Sequence, residues 1–167
     1  MPKHLYLFRH AEAAAKESRQ DDKTRELAQA GIKDSLHMGA WFREQNFHFD
    51  LIVSSSALRA EQTATLAAEG MKLENPKILL EDVLFDASVR QFLDYVINIE
   101  DSYDHVVCVG HNPVISYLAE YLTKADIGDM VAGSVAIIRF DFNSWKKANE
   151  ATGHLVNYVT PERIARF

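Results

Sequence analysis

Arg9 and His10 follow directly on the apolar run Leu5-Tyr6-Leu7-Phe8. A run of this kind, without polar alternation, predicts a strand buried on both faces over about residues 3–9. A cation and an imidazole then fall at its carboxyl end. The arrangement returns in Val106-Val107-Cys108-Val109-Gly110-His111-Asn112-Pro113. Ligands of open α/β sheets bind in the crevice beyond the carboxyl ends of the strands. His10 and His111 can therefore share one crevice. An imidazole there can act as nucleophile or proton carrier at neutral pH. A guanidinium beside it selects an anion, with phosphate as the first expectation.

A third candidate is Arg59, in Ser54-Ser55-Ser56-Ala57-Leu58-Arg59-Ala60-Glu61-Gln62-Thr63. An arginine on a helix is ordinarily a solvated charge. This one lies one turn into a helix that follows a short strand, where the helix N-terminus adds positive potential. Other phosphate devices are missing. There is no glycine-rich loop ending in Lys-Ser/Thr and no Cys-x5-Arg loop. Seven histidines and one cysteine form no CxxC or HExxH pattern, so neither metal nor cofactor is expected.

The elements that must carry these residues alternate along the chain. After the first strand, residues 11–26 read as a polar surface loop. A helix is expected over 27–45, with Leu27, Ala30, Leu36, Ala40 and Trp41 on its apolar stripe. A strand follows over 50–54, then a helix over 57–70 with N-cap chemistry from Ser54–Ser56 and closure by Gly70. A strand over 77–80 and a helix over 88–99 come next. Strand 105–110 leads to a helix over 113–123, with Asn112 as cap and Pro113 in its first position. Strands 134–140 and 154–159, joined by a polar link, suit an antiparallel pair. The whole predicts a three-layer α/β/α sandwich with a mostly parallel sheet and an antiparallel edge, as a single domain over 1–167.

Composition narrows the class. The net charge of −6 argues against nucleic acid or an anionic membrane as principal partner. One cysteine allows no disulfide framework, and no stretch approaches the roughly 18 apolar residues of a membrane span. The N-terminus lacks the pattern of a signal peptide. A cytoplasmic setting is the expectation.

Arg9-His10, the Ser54-Ser55 to Arg59-Ala60-Gln62-Thr63 segment and Gly110-His111-Asn112-Pro113 occur in that order. With this spacing the sequence resembles the histidine phosphatase superfamily, which includes the phosphoglycerate mutases, from residue 4 to about 160. The resemblance implies that His10 is the phosphorylated nucleophile and that Arg9, Arg59 and His111 hold the phosphoryl oxygens. Arg25, in Arg25-Glu26-Leu27-Ala28-Gln29-Ala30-Gly31, matches a milder feature and is read as structural or as rim. Ala11 stands where Gly is usual, which is similar to the small protein-phosphohistidine phosphatases of this superfamily. Many members carry a Glu after the third strand as general acid. Glu81 and Asp82 sit there, but Val83-Leu84-Phe85-Asp86-Ala87 lacks the usual Phe-Gly continuation, so Glu81 is a weak candidate for that role.

These residues permit in-line attack by neutral His10, with Arg9, Arg59 and a protonated His111 on the equatorial oxygens and no metal. An imidazole leaving group departs with a pKa of about 6.5 and needs little proton donation, whereas an alkoxide needs an acid. Arg59 and His111 are too close in sequence to leave room for a lid, so an open pocket is expected. The favoured substrate is phosphohistidine on a signalling protein, such as a phosphotransfer-type domain. The alternatives are a phosphomonoesterase for a small phosphoester and a non-catalytic phosphate-binding protein.

Overall fold

The first strand shows why two helical layers are needed. Leu5 and Leu7 point into one buried cluster with Phe92, Ile115 and Leu118, while Tyr6 and Phe8 point into another with Met38, Phe42 and Ala64. The fourth strand repeats the division: Val106 and Cys108 enter the first cluster, Val107 and Val109 the second. Successive side chains of a strand face opposite ways, so a run that is apolar at every position must be covered on both sides.

The computed structural model describes residues 1–165. Its six strands are β1 (Lys3–Arg9), β2 (Leu51–Ser55), β3 (Ile78–Glu81), β4 (His105–Gly110), β5 (Val135–Phe140) and β6 (Gly153–Val159). They form one sheet in the order β3-β2-β4-β1-β5-β6. The four strands from β3 to β1 are parallel, and β5 and β6 run antiparallel at one edge. Helices α1 (Gln29–Glu44) and α2 (Leu58–Gly70) cover one face, while α3 (Val89–Ile97) and α4 (Val114–Thr123) cover the other. A short α5 (Pro161–Ile164) packs beside α1. The expected three-layer α/β/α sandwich with an antiparallel edge is therefore the fold. Residues 166 and 167 of the expected domain lie outside the described residues.

Four local expectations are corrected. The buried face of α1 is Gly31, Ser35, Met38, Gly39 and Phe42, not the expected Ala30, Leu36, Ala40 and Trp41; Leu27 is buried but precedes the helix. The reason is close helix packing: a Cβ on Gly39 would collide with the Ala67 carbonyl, and one on Gly70 with the Leu36 carbonyl. Gly70 is thus an ordinary helical residue at a contact, and Met71 follows it in αR conformation. The α2 N-cap is Ala57, whose side chain cannot cap, and Ser55 instead meets His111 Nε2. Asn112 does not cap α4 either. Pro113 occupies the cap position, after a cis peptide bond, and the Asn112 amide bonds to Met130 and Ser116. Residues 11–26 form the mostly exposed surface loop expected. The chain folds back on itself through an Ala13–Leu27 bridge, with a 3-10 turn at Asp22–Thr24.

An exposed helical Gly→Ala change ordinarily stabilises by about 1 kcal/mol. Gly39→Ala should do the opposite, costing about 1–3 kcal/mol, because overpacking a filled contact outweighs propensity. Urea unfolding of the variant checks the sign.

Candidate active site

Strand register builds the site. Arg9 on β1 is paired with Gly110 on β4, so His10 and His111 each stand one residue beyond the same rung. The His10 amide donates to the Gly110 carbonyl at 3.1 Å, and the two imidazole centroids are 5.1 Å apart. His10 is only 8% exposed. Its Nδ1 lies 2.8 Å from the Ala11 carbonyl, which can only accept, so Nδ1 carries the proton and Nε2 presents a lone pair. Ala11 is held in turn: its amide donates to Thr63 Oγ1, and Thr63 donates to the Arg59 carbonyl one turn back in α2.

The cations are anchored at one end and free at the other. Arg9 Nη1 donates to the Met130 carbonyl at 2.7 Å. Arg59, 6% exposed, donates from Nη1 to the Asp22 carbonyl at 2.7 Å and from Nη2 to Asp22 Oδ2 at 3.0 Å. The Nε atoms of Arg9, Arg25 and Arg59 are buried without a hydrogen-bond partner among the described residues, as is His111 Nδ1. His111 Nε2 meets Ser55 Oγ at 2.8 Å, and Ser55 Oγ accepts from the Ala57 amide. With its proton directed to His111 Nε2, Ser55 leaves His111 Nδ1 as an N–H donor. These buried donors lack a protein partner around the two histidines, a chemistry suited to the several oxygens of a phosphoryl group.

Burial pushes the His10 imidazole down to about 4, aided by the charges of Arg59, Arg9 and Arg25 and opposed by its bond to Ala11. Burial pushes His111 down to about 3, with His10, Arg59 and Arg9 acting in the same direction and Asp22 against it. Both rings are neutral at pH 7. His10 is therefore ready as a nucleophile, and His111 donates as a neutral imidazole rather than as the cation expected from sequence. Burial tends to raise the Asp22 carboxyl, but Arg59, Arg25 and Lys16 outweigh it and hold Asp22 below the usual range. Asp22 is ionised and cannot serve as a proton donor at neutral pH.

The structure brings Arg9, His10, Arg59 and His111 together. It does not bring Glu81 to them: Glu81 stands beside Ser55 in the β2–β3 register and faces the Tyr95 hydroxyl on α3. Asp82 is exposed and paired with Lys23 at 3.0 Å. Sequence reasoning missed Asp22, Ser55 and Thr63 as parts of the site. Arg25, read as structural or rim, pairs with Asp22 through Nη2 at 3.6 Å, and its charge also acts on His10. The available signal was Asp22-x-x-Arg25, an acid and a base three apart in the segment leaving the His10 strand. Among the described residues no group of three His, Cys, Asp or Glu side chains could hold a metal. No described helix is long and apolar enough to cross a membrane.

Both buried histidines make stability depend on pH. Unfolded, each titrates near 6.5; folded, each takes a proton only at about 4 or about 3. The unfolded state binds more protons below pH 6.5, so stability must fall as pH drops from there toward 4. By pH 5 the loss should reach about 1–2 kcal/mol per histidine. Thermal unfolding of wild type and of a His10→Gln/His111→Gln double variant, from pH 7 to pH 5, checks this: the double variant should show the shallower decline.

Comparison with known proteins is consistent with this pocket. Residues 5–84, which include Arg9, His10 and Arg59, match the sequence model of the histidine phosphatase superfamily (branch 1). An uncharacterised protein of Picosynechococcus is 29% identical over 125 residues, 74% of this chain and 75% of that one. The phosphohistidine phosphatase SixA of Escherichia coli is 24% identical over 139 residues, 82% of this chain and 85% of that one. The structure of the protein histidine phosphatase SixA complexed with tungstate shares the fold, with a TM-score of 0.82 and 21% identity over 96% of this chain and 99% of that one. The first half of the chain is thus similar in sequence to the histidine phosphatase superfamily (branch 1), and the whole chain shares the fold of the SixA structure.

Proposed function

We propose that this protein is a metal-independent phosphatase that works through a phosphohistidine on Nε2 of His10, and that its substrate is phosphohistidine displayed by another protein. The observation that carries the proposal is the state of His10. It is buried, neutral and fixed in the Nδ1–H tautomer beside three guanidiniums and an N–H of His111. Nε2 attacks phosphorus in line, the P–N bond to the enzyme forms, and the bond to the leaving group breaks. The guanidiniums of Arg9 and Arg59 and the His111 donor stabilise the charge on the equatorial oxygens. Water then attacks phosphohistidine, releasing phosphate and restoring neutral His10.

The carboxylates favour a phosphohistidine substrate over a phosphoester. An alkoxide leaving group needs a proton in the transition state. Asp22 is held ionised by Arg59, Glu81 faces Tyr95, and Asp82 is paired with Lys23 at the surface. None of these is placed as a ready acid. A phosphohistidine whose other ring nitrogen already carries a proton releases neutral imidazole, whose conjugate acid has a pKa of about 6.5, and needs no further acid. A phosphotransfer-type domain of a signalling relay in the cytoplasm fits this chemistry. A small phosphoester as substrate is the competing reading, and it needs Glu81 to turn toward the pocket.

His10→Ala should abolish turnover while the variant stays folded. Arg59→Ala and His111→Ala should each lower kcat by roughly 100-fold or more, the scale of one lost oxyanion donor. Phosphatase assays paired with thermal unfolding check both, and a chelator should leave the wild-type rate unchanged.

Substrate class is read from kcat/KM for a phosphohistidine protein and for p-nitrophenyl phosphate. Glu81→Gln should leave the first within a few fold. A wild type that strongly prefers the phosphoester, or a Glu81→Gln variant that loses both activities, would replace the proposal with the small-phosphoester reading.

A further inference from the structure

A closed ring of hydrogen bonds lies behind Arg9. The Met130 carbonyl accepts from Arg9 Nη1 at 2.7 Å and from Asn112 Nδ2 at 3.0 Å. Asn112 Oδ1 accepts from the hydroxyl of Ser116, one turn along α4. The same hydroxyl accepts from the Met130 amide at 2.9 Å. Ser116 is 2% exposed, so water does not compete for these bonds.

The direction of every bond follows from one group. A backbone N–H can only donate, so the Ser116 oxygen must accept from Met130. The proton of Ser116 is then free for Asn112 Oδ1. That fixes the amide with its NH2 toward the Met130 carbonyl. The carbonyl consequently faces two donors, one of them the guanidinium of Arg9. The loop that carries it is also tied to the strand end: the Gly133 amide donates to the carbonyls of Arg9 and His10, and the Arg9 amide donates to Ser134.

We infer that Ser116 is a positioning residue for the phosphoryl site, acting on Arg9 through Asn112 and the Met130 carbonyl. This rests on the reading of the pocket as a phosphoryl-transfer site. The hydroxyl touches no reacting atom. It sets the polarity of the Asn112 amide, which holds the Met130 carbonyl, which in turn leaves Arg9 Nε for the phosphoryl oxygens. Without the hydroxyl, the buried Met130 amide and Asn112 Oδ1 both lose a partner. The amide is then free to rotate and present Oδ1 to the Met130 carbonyl, two acceptors that repel. The carbonyl shifts and Arg9 loses its anchor. Because charge on the equatorial oxygens is met most closely in the transition state, the defect falls on kcat more than on KM.

The test uses Ser116→Ala and Asn112→Ala, below the melting temperature of each variant. Ser116→Ala should lower kcat by about 10- to 100-fold, short of losing an oxyanion donor outright, with KM within about threefold. Vanadate, which adopts the trigonal bipyramidal geometry of the transition state, should bind more weakly by a similar factor, while inorganic phosphate affinity barely changes. Asn112→Ala should show the same pattern, and the double variant should be no worse than the more severe single, since both act through one carbonyl. If Ser116→Ala lowers only the melting temperature and leaves kcat and vanadate affinity intact, the positioning role is wrong. Additive losses in the double variant would also overturn it. If wild type hydrolyses none of the phosphoryl substrates, but Ser116→Ala still weakens vanadate binding selectively, the positioning role stands and the proposed function fails.

Discussion

The pairing of Arg9 with Gly110 is the constraint on which the site depends. Side chains alternate across a sheet, so a one-residue slip between β1 and β4 would send every apolar residue of the slipped strand to the wrong layer. Leu5, Leu7, Val106 and Cys108 fill one cluster, and Tyr6, Phe8, Val107 and Val109 the other. The register is thus fixed by eight buried side chains before any catalytic group is considered. The hydrophobic core and the active site are set by the same rungs.

Around that fixed pair the protein gathers positive charge, with Arg59 buried and Arg9 and Arg25 partly so. Arg9 and Arg59 are each tethered by a backbone carbonyl, which neutralises nothing, and Asp22 supplies the one carboxylate bonded to Arg59. The histidines respond by staying neutral, one as lone-pair donor to phosphorus and the other as N–H donor to oxygen. A phosphoryl dianion entering the pocket would relieve repulsion among groups that folding has forced together. Preorganised donors of this kind need no rearrangement at the moment charge develops.

The sequence made the strand ends legible because an apolar run that stops at Arg-His or Gly-His is a local pattern. The layers and the antiparallel edge were equally local, each strand being bounded by its own polar flanks. The buried face of α1 was misread because apolar size is a poor guide where backbones touch. Gly31 lies against the Glu12 backbone and Gly39 against that of Ala67 because neither has a Cβ, and no hydropathy count marks them. Asp22 and Ser55 were missed for a different reason. Each acts on a residue far along the chain, Arg59 and His111, and nothing around them in sequence specifies that partner. Asn112 was misjudged by the same limit: its position suits a helix cap, but Met130 and Ser116 offer its amide better partners.

Cys108 is the protein's one cysteine. It lies fully buried in β4, with burial pushing its thiol up to about 12. A thiol so protonated and inaccessible does not react with alkylating reagents. The wild-type chain is therefore silent toward maleimides while folded. A cysteine introduced at exposed Val131 would be the one reactive thiol on the molecule, so a dye or spin label can be set next to Met130, whose carbonyl anchors Arg9, without first deleting a native cysteine.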